Sequence, residues 1–466
     1  MSSRGRFALL IFLAAALFFA GLGSAGIRRA PEARVAEVAR EMLDSGEWLV
    51  PELNAQVRLQ KPPLLYWTVA GAYMLRGRVD EATARIPTAL CAIAAVLLAA
   101  TLAGRLFGPR AGFLAGAFLA TTRVFLQEGR RAEADVPMTL FVILAMLAFD
   151  RGFREGRAMG KALFFGAMGF AFMTKGVPGV AIPLGAAAGW LAWEGRAREA
   201  IRPPFLAGLL LTLGIIAPWY ALVWWTHPDA TSVFYAETLR RMTPEAPHAE
   251  PFYYYLYRLP VDLLPWILLL LLPTTWSALR ADPATRRAAR LPIAWAGAGL
   301  FFLTALRAKQ PHYLVPVAPA FAILGAAGID RVLDGLRRRS LTPRAVYLAL
   351  ALVVAAEIFF VVRIEPRRFA RKSPREACGQ VARIVGNAPL LFYKFENSPC
   401  VFYLRRTAPV ITDEARLEAA LRRHPGAYVL TEVKEAGAHP LMSLPVAYRS
   451  DSYKRELVLR GPSGTQ

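Results

Sequence analysis

Long apolar runs alternate with short charged segments along most of this chain. A helix that crosses a bilayer needs about 20 mostly apolar residues, and runs of nearly that length recur up to Arg363. The pattern therefore predicts a polytopic α-helical membrane protein with about 11 transmembrane helices. The predicted spans are residues 7–27, 84–104, 111–127, 136–150, 162–175, 177–193, 204–225, 259–279, 291–306, 313–329 and 345–363.

After Arg363 the long apolar runs give way to short segments bounded by glycine, proline and polar residues. Such a pattern is typical of a small α/β domain. We therefore divide the chain into a transmembrane domain, residues 1–363, with a first outer loop at 28–83, and a soluble domain, residues 364–466. Strands are predicted at 389–394, 409–412, 427–431, 445–448 and 456–460, and helices at 375–387 and 414–423.

The charge distribution indicates how the chain crosses the membrane. The chain is 55% hydrophobic and carries a formal net charge of +22, with a mean hydropathy of +0.35. Its basic residues concentrate in short loops between apolar runs, as cytoplasmic loops do, which argues against a nucleic-acid-binding protein. The bias favours a cytoplasmic N-terminus and an extracytoplasmic C-terminal domain. In such a compartment Cys378 and Cys400 could either pair or stay reduced.

The first outer loop contains a predicted amphipathic helix. Apolar residues recur there at i, i+3, i+4, i+7 and i+8 from Val35 to Leu43, which predicts a helix lying in the membrane interface. Glu32 falls within the apolar stripe of this helix, so its carboxylate should face packed protein or a cavity. Two interpretations stay open: a charge that interacts favourably with the helix dipole, or an active-site acid.

Further charged residues lie on the same predicted side of the membrane. Lys61 precedes two prolines that stiffen the backbone, so it is either a fixed phosphate ligand or a lysine that anchors a helix end. Asp135 opens a predicted span, and Lys309, at the mouth of another, is a candidate ligand of the lipid phosphate. His248 lies near acidic residues and is the candidate metal ligand.

Six segments, in this order, resemble segments of the protein O-mannosyltransferases and aminoarabinose (lipid A) transferases, which are GT-C-fold enzymes that use polyprenyl-phosphate sugars. The resemblance covers residues 7–330. The segments are EARVAEVAREMLDSGEWLVPELN, QKPPLLYW, AEADVPMTLF, FMTKGVPGVAIPL, HAEPFYYYLYRLPVDLLPW and KQPHYLVPVAPAFAIL.

The resemblance implies roles for particular residues. The acidic pair of the family falls on Pro31 and Glu32, so only the second acid is present. Lys61 matches the phosphate-binding lysine, and Asp135 matches an acid near the reaction centre. The remaining matches are Arg258 and Tyr313 for groups that hold the lipid phosphate, His248 for a metal-binding histidine, and Gln60 for an acid beside that metal. With Gln60 in that place no cofactor is clearly required, and a divalent metal stays an open alternative.

The predicted function is transfer of a sugar from polyprenyl (undecaprenyl) phosphate to a lipid A-type, other glycolipid or protein acceptor at the outer face of the bacterial inner membrane. The resemblance implies inversion at the sugar carbon. Glu32 or Asp135 would act as base for a hydroxyl acceptor, whereas a phosphate acceptor needs none. The alternatives are a flippase or transporter for lipid-linked sugars, which would need charges at mid-membrane, and a membrane scaffold that presents the C-terminal domain.

Overall fold

The computed structural model describes residues 3–238, 243, 248–338, 344–437, 441, 443–450, 453 and 455–462, and the protein is largely helical. The helices are α1 (Ser3–Phe19), α2 (Ala30–Ser45), α3 (Leu64–Arg76), α4 (Glu81–Phe107), α5 (Pro109–Ala120), α6 (Arg123–Gly129), α7 (Asp135–Phe149), α8 (Ala158–Lys175), α9 (Pro178–Trp193), α10 (Pro203–Thr226), α11 (Ala230–Thr238), α12 (Tyr254–Asp262), α13 (Ile267–Leu270), α14 (Pro273–Arg280), α15 (Pro283–Ala305), α16 (Ala318–Arg338), α17 (Arg344–Phe359), α18 (Glu365–Phe369), α19 (Arg375–Val385), α20 (Ser398–Leu404) and α21 (Glu414–Arg423). The strands are β1 (Glu52–Leu53), β2 (Gln56–Val57), β3 (Leu390–Tyr393), β4 (Val410–Ile411), β5 (Tyr428–Glu432), β6 (Val446–Arg449) and β7 (Leu457–Arg460).

Several helices have the length and composition of membrane spans. Within the described part of the chain, five are long and apolar enough to cross a bilayer. They are Glu81–Phe107, Asp135–Arg154, Pro203–Thr226, Pro283–Ala305 and Val346–Lys372. Each overlaps a predicted span, and the other predicted spans overlap single helices or groups of helices.

The predicted span at 259–279 is not one continuous helix. The structure divides this stretch among α12, α13 and α14. Two prolines explain the breaks, because Pro265, between α12 and α13, and Pro273, the first residue of α14, lack the N–H that continues a helical hydrogen-bond ladder. Pro260 is accommodated inside α12. The apolar composition of the stretch predicted burial or membrane contact, and it did not reveal where the helix would stop.

The chain forms two compact units. The first comprises residues 1–20, 59–68 and 85–359, and the second comprises residues 21–58, 69–84 and 360–466. Most of the first outer loop therefore shares a unit with the C-terminal residues. Within the second unit, for example, Asn54 Nδ2 donates to the carbonyl oxygen of Ala408 at 2.8 Å, and α2 packs against α20.

The second unit is built on a five-stranded sheet with the order β4-β3-β5-β7-β6. Strands β4, β3 and β5 are parallel, whereas β7 and β6 are antiparallel to their neighbours. Successive side chains of a strand point to opposite faces. Accordingly Leu390 and Phe392 belong to one core cluster, and Leu391 and Tyr393 to another. Both faces of β3 are therefore buried.

The secondary structure of this region lies close to the expected positions. Each of the five strands falls within or at the edge of a predicted strand segment, and α19 and α21 coincide with the predicted helices. Helix α20 was not predicted. Asn397 caps it by accepting a hydrogen bond from the Cys400 backbone N–H at 3.2 Å, and Pro399 lies in its first turn, where a missing N–H is tolerated.

A disulfide joins Cys378 of α19 to Cys400 of α20, 22 residues apart in the chain. A cross-link of this length lowers the entropy of the unfolded chain and is worth about 3 kcal/mol. We expect the Cys378→Ser/Cys400→Ser variant to lose about that much stability in the second unit, measured by hydrogen exchange of the β3 and β5 amides. Cys91→Ser removes a free thiol and serves as the control. Equal exchange rates in the double variant and the control would contradict the expectation.

Helix α2 is buried more deeply than an interfacial helix. Every residue from Glu32 to Met42 except Arg34 is buried, including Glu37, Arg40 and Glu41, which lie outside the apolar stripe. Glu37 is fully buried and accepts hydrogen bonds from Arg40 Nε at 3.0 Å and Arg40 Nη2 at 2.6 Å. Ion pairing within the helix allows these charges to be covered by protein.

The buried carboxylate of Glu37 should make the stability of the second unit depend on pH. Burial raises the pKa of Glu37 from 4.5 to about 7, although Arg40 opposes the shift. Between these pH values the native state binds the proton more tightly than the unfolded chain does. The free energy of unfolding should therefore fall as pH rises from 4.5 to 7, by up to about 3 kcal/mol.

Thermal unfolding of the detergent-solubilised protein across this pH interval measures the effect. Glu37→Gln keeps a hydrogen-bonding group beside Arg40 but does not titrate, so its stability should change less with pH. A pH dependence as steep in the variant as in the wild-type protein would exclude Glu37 as its source.

Candidate active site

The first unit contains a partly open cavity of about 1020 Å³. Several elements converge on it: the segment before α3, the start of α7, the junction of α8 with α9, and parts of α10, α11 and α15. Its lining residues are Leu59, Gln60, Lys61, Pro62, Asp135, Met138, Phe172, Lys175, Gly176, Val177, Pro178, Tyr220, Phe234, Glu237, Phe302, Leu303, Leu306, Tyr313 and Pro316. Most of them are apolar, and the charged ones are two lysines and two acids.

Lys61 enters the cavity from the segment that precedes α3. Pro62 and Pro63 follow it and restrict the backbone just before the helix starts at Leu64. Lys61 Nζ lies 3.0 Å from Glu237 Oε2 of α11. Both side chains stay partly exposed, at 32% and 25%, so this ion pair is open to exchange with an incoming anion.

Asp135 and Lys175 form a second ion pair in the cavity, and it is more deeply buried. Asp135 stands at the first position of α7, where a carboxylate interacts favourably with the helix dipole. Lys175 is the last residue of α8, next to Gly176, which ends the helix with a φ of +91° that other residues rarely adopt. Lys175 Nζ contacts Asp135 Oδ1, and their side chains are only 11% and 2% exposed.

Tyr313 completes this end of the cavity. It lies in the short 3₁₀ turn Pro311–Leu314, with its ring centroid 5.1 Å from Lys175 Nζ, within range of a cation–π interaction. Two hydrogen bonds hold the chain on either side of Tyr313. Tyr255 Oη donates to Gln310 O at 3.3 Å, and Trp295 Nε1 donates to Pro316 O at 3.0 Å.

A candidate metal site adjoins the same ion pair. One ligand atom each from Glu133, Asp135 and His312 lies within 4.8 Å of the others. Two carboxylates and an imidazole suit a divalent cation such as zinc or manganese. The Lys175 ammonium is already in contact with Asp135, so a metal would compete with it or share that carboxylate.

His248 is not part of this group in the described residues. Its side chain is exposed and its backbone has a φ of +59°, and its carbonyl oxygen accepts a hydrogen bond from Lys309 N at 3.1 Å. The sequence suggested His248 because acidic residues lie nearby in the chain. In the structure the histidine that approaches acidic groups is His312.

Two other predicted phosphate ligands are absent from the residues that line the cavity. Arg258 Nε and Nη2 donate to the Asp262 carboxylate, each at 2.8 Å. Lys309 is 2% exposed, and its Nζ donates to the carbonyl oxygens of Leu306 and Glu250, the latter at 3.2 Å. Burial also lowers the pKa of Lys309. These contacts indicate structural roles for both side chains.

Glu32 belongs to the second unit, in the first turn of α2. It is 2% exposed, which confirms the predicted burial of its carboxylate. Its assignment as an active-site acid stays a prediction.

Sequence reasoning did not identify the partners of the cavity lysines. Glu237 lies 176 residues from Lys61 in the chain, and no local motif marks it. In the sequence Lys175 ends the predicted span at residues 162–175. Its position between a helix C-terminus and a glycine was the available signal, but the contact with Asp135 depends on the packing of α7 against α8.

The arrangement suits an amphiphilic anion. Lys61 and Lys175 can hold a phosphate, because ammonium groups in a cavity of low polarity bind anions strongly. Aromatic and aliphatic side chains, including Phe172, Phe234 and Leu303, line the rest and can accommodate an apolar chain.

Comparison with known proteins gives consistent matches. A family model described as dolichyl-phosphate-mannose-protein mannosyltransferase matches residues 60–224. The undecaprenyl phosphate-α-4-amino-4-deoxy-L-arabinose arabinosyl transferase 2 of Pseudomonas fluorescens is 30% identical over 368 residues, which are 77% of this chain and 62% of that protein. The chain spans about three fifths of the length of the first two curated relatives that it matches, at 63% and 62%.

Solved structures share the fold. The crystal structure of ArnT from Cupriavidus metallidurans bound to undecaprenyl phosphate superposes with a TM-score of 0.80 at 22% identity, and the match covers 98% of each chain. The oligosaccharyltransferase of Archaeoglobus fulgidus gives a TM-score of 0.62 at 12% identity, with 93% of this chain and 70% of that chain covered.

Proposed function

We propose that this chain, which belongs to the GT-C-fold family of the aminoarabinose transferases and protein O-mannosyltransferases, transfers a sugar from a polyprenyl phosphate to an acceptor at the outer face of the inner membrane. Undecaprenyl phosphate is the proposed carrier, since it is bound in the ArnT structure from Cupriavidus metallidurans. The acceptor is a lipid A-type glycolipid, another glycolipid or a protein.

The cavity is the observation that carries this proposal. It brings two lysines, Lys61 and Lys175, to one chamber that is otherwise mostly apolar. A flippase would need charges within its spans at mid-membrane, whereas these lysines precede or end helices. A scaffold would have no need to bury Asp135 against Lys175.

The reaction breaks the bond between the sugar carbon and the phosphate oxygen, and an acceptor oxygen forms the new bond at that carbon from the opposite side. The electron pair of the broken bond stays on the phosphate. Lys61 and Lys175 stabilise that developing charge, so that no general acid is required. Tyr313 holds Lys175 in position through its ring. Arg258 and Lys309 are left out of the phosphate site because other groups of this chain engage them.

A hydroxyl acceptor must also lose a proton, and Glu32 or Asp135 is the proposed base. A phosphate acceptor needs no base. The Glu32→Gln variant should therefore lower turnover by about 100-fold with a hydroxyl acceptor if Glu32 is the base, and change little with a phosphate acceptor. Turnover measured with matched acceptors of both kinds tests this. An equal loss of turnover with the hydroxyl and the phosphate acceptor would show that Glu32 supports the structure and is not the base.

Glu133, Asp135 and His312 are the residues that would hold a divalent metal. When bound, such an ion would supply a positive charge next to the phosphate. His248 is not retained as a ligand, because its exposed side chain lies outside this group.

We also propose the finer topology: about 11 spans, a cytoplasmic N-terminus, a transmembrane domain of residues 1–363 and an extracytoplasmic domain of residues 364–466. The disulfide between Cys378 and Cys400 supports the orientation, because such bonds persist in oxidising compartments. Reporter fusions after Arg363 and within residues 194–203 test it, since only the first should be active outside the cytoplasm.

The experiment for the activity is direct. Purified protein is incubated with undecaprenyl phosphate carrying different sugars, together with lipid A or a peptide, and mass spectrometry identifies the product. A mass increase of one sugar on an acceptor supports the proposal. Movement of the donor across a vesicle membrane without any covalent product would favour the flippase.

A further inference from the structure

Seven Lys/Arg and two Glu lie between residues 363 and 383, at the end of the last apolar run and just beyond it. All seven basic side chains are exposed: Arg363, Arg367, Arg368, Arg371, Lys372, Arg375 and Arg383. The run Val346–Lys372 is long enough to cross a membrane, so five of these cations fall in its last ten residues. We call residues 363–383 the basic segment.

Three cations surround a single aromatic ring in this part of the second unit. The centroid of Phe369 lies 3.9 Å from the Arg28 guanidinium carbon, 5.0 Å from Lys372 Nζ and 5.7 Å from the Arg368 guanidinium carbon. The negative face of an aromatic ring attracts cations, but it does not cancel three positive charges. Glu365, 3.5 Å from Arg28, is the acidic group that forms an ion pair here.

The basic segment also lines an open cleft of about 1320 Å³. Its polar walls include Arg371, Arg375, Glu376 and Arg383. Arg375 pairs with Glu81 at 3.3 Å, whereas no ion pair to Arg371 or Arg383 occurs among the residues that the structure describes. The floor is fixed, because Ser373 is buried and its Oγ donates to Ile27 O at 2.8 Å.

Such a density of unpaired positive charge is unfavourable until an anion binds. In membrane proteins, Lys and Arg near the ends of spans usually lie on the cytoplasmic side. In the topology proposed above, the basic segment lies on the other side. An anionic partner in the outer leaflet would account for it, because basic residues beside a membrane attract anionic headgroups.

We propose that the cleft of the basic segment binds the phosphate groups of a phosphorylated glycolipid headgroup, which is the acceptor lipid. The role of this lipid as the acceptor rests on the proposed function. Its binding to the cleft does not. A cleft of this size accommodates a phosphorylated sugar, and arginine pairs in bidentate fashion with phosphate oxygens. Glu376, which also lines the cleft, can accept hydrogen bonds from hydroxyl or amino groups of the sugar.

The test measures binding rather than turnover. The full-length protein in phosphatidylcholine nanodiscs is titrated with bis-phosphorylated lipid A, with dephosphorylated lipid A and with phosphatidylglycerol. The Arg371→Gln/Arg383→Gln variant should bind bis-phosphorylated lipid A about tenfold more weakly and phosphatidylglycerol unchanged. The wild-type protein should prefer the phosphorylated form to the dephosphorylated one by at least the same factor.

The matched control is Arg422→Gln/Arg423→Gln, which removes two exposed arginines from α21 in the same unit and should bind like the wild-type protein. Unchanged lipid A affinity in the cleft variant would overturn the proposal. Equal losses for lipid A and phosphatidylglycerol would also overturn it, since they would indicate a general attraction to anionic lipid. Undecaprenyl phosphate binding is measured in parallel, so a failure of the donor site is seen separately.

Discussion

Replacing Lys61 with alanine is expected to lower the rate of sugar transfer about 1000-fold. Removal of one group that stabilises charge in a transition state costs about 100- to 1000-fold, and this change does more than that. It also leaves Glu237, which lies 3.0 Å from Lys61 Nζ, facing the proposed donor phosphate with like charge. The rate is measured as a single turnover of bound undecaprenyl-phosphate sugar, so that weaker donor binding is not mistaken for slower chemistry.

Two variants accompany this measurement. Lys161→Ala removes a lysine of α8 that stands over the ring of Phe153 and does not line the cavity, and it should retain full activity. Lys61→Ala/Glu237→Gln removes both charges and should recover part of the loss. Turnover by Lys61→Ala within threefold of the wild-type rate would exclude Lys61 from the phosphate site.

The Asp135→Asn variant is expected to reduce turnover about 100-fold. Asparagine has nearly the shape of aspartate but no charge, so it leaves the buried Lys175 ammonium without its carboxylate. An uncompensated buried charge is costly, and Lys175 should shift away from its position under Tyr313. The variant also withdraws a ligand from the group of Glu133 and His312.

A chelator separates these two roles. If a bound metal contributes, chelation should slow the wild-type enzyme and leave Asp135→Asn unaffected. If the ion pair alone matters, chelation should change neither rate, and Lys175→Met should be as slow as Asp135→Asn. Asp229→Asn, in an exposed turn between α10 and α11, is the control for loss of an acid. Full activity of Asp135→Asn would show that turnover needs neither the ion pair with Lys175 nor a metal bound by Asp135.

The membrane class, the approximate positions of most helices and the strands of the C-terminal region could be predicted from the sequence. These features depend on local periodicity and on the length of apolar runs, and every residue of a segment contributes to that signal. Lys61 and Asp135 could also be proposed, because prolines and helix starts mark their surroundings in the chain. The stretch at 259–279 was predicted as one continuous element and is divided among three helices, because hydropathy is insensitive to the hydrogen bonds that Pro265 and Pro273 remove.

The sequence alone determined that this protein lies in a membrane and has fixed lysines beside apolar helices. Only the tertiary structure decided which acids those lysines meet, that His312 rather than His248 approaches Asp135, and that the first outer loop shares a unit with the C-terminal sheet. The physical reason is distance along the chain. The periodicity of a segment and its tendency to be buried follow from neighbouring residues and can be read from the sequence. An ion pair between residues 176 positions apart, such as Lys61 and Glu237, forms only once the helices have packed.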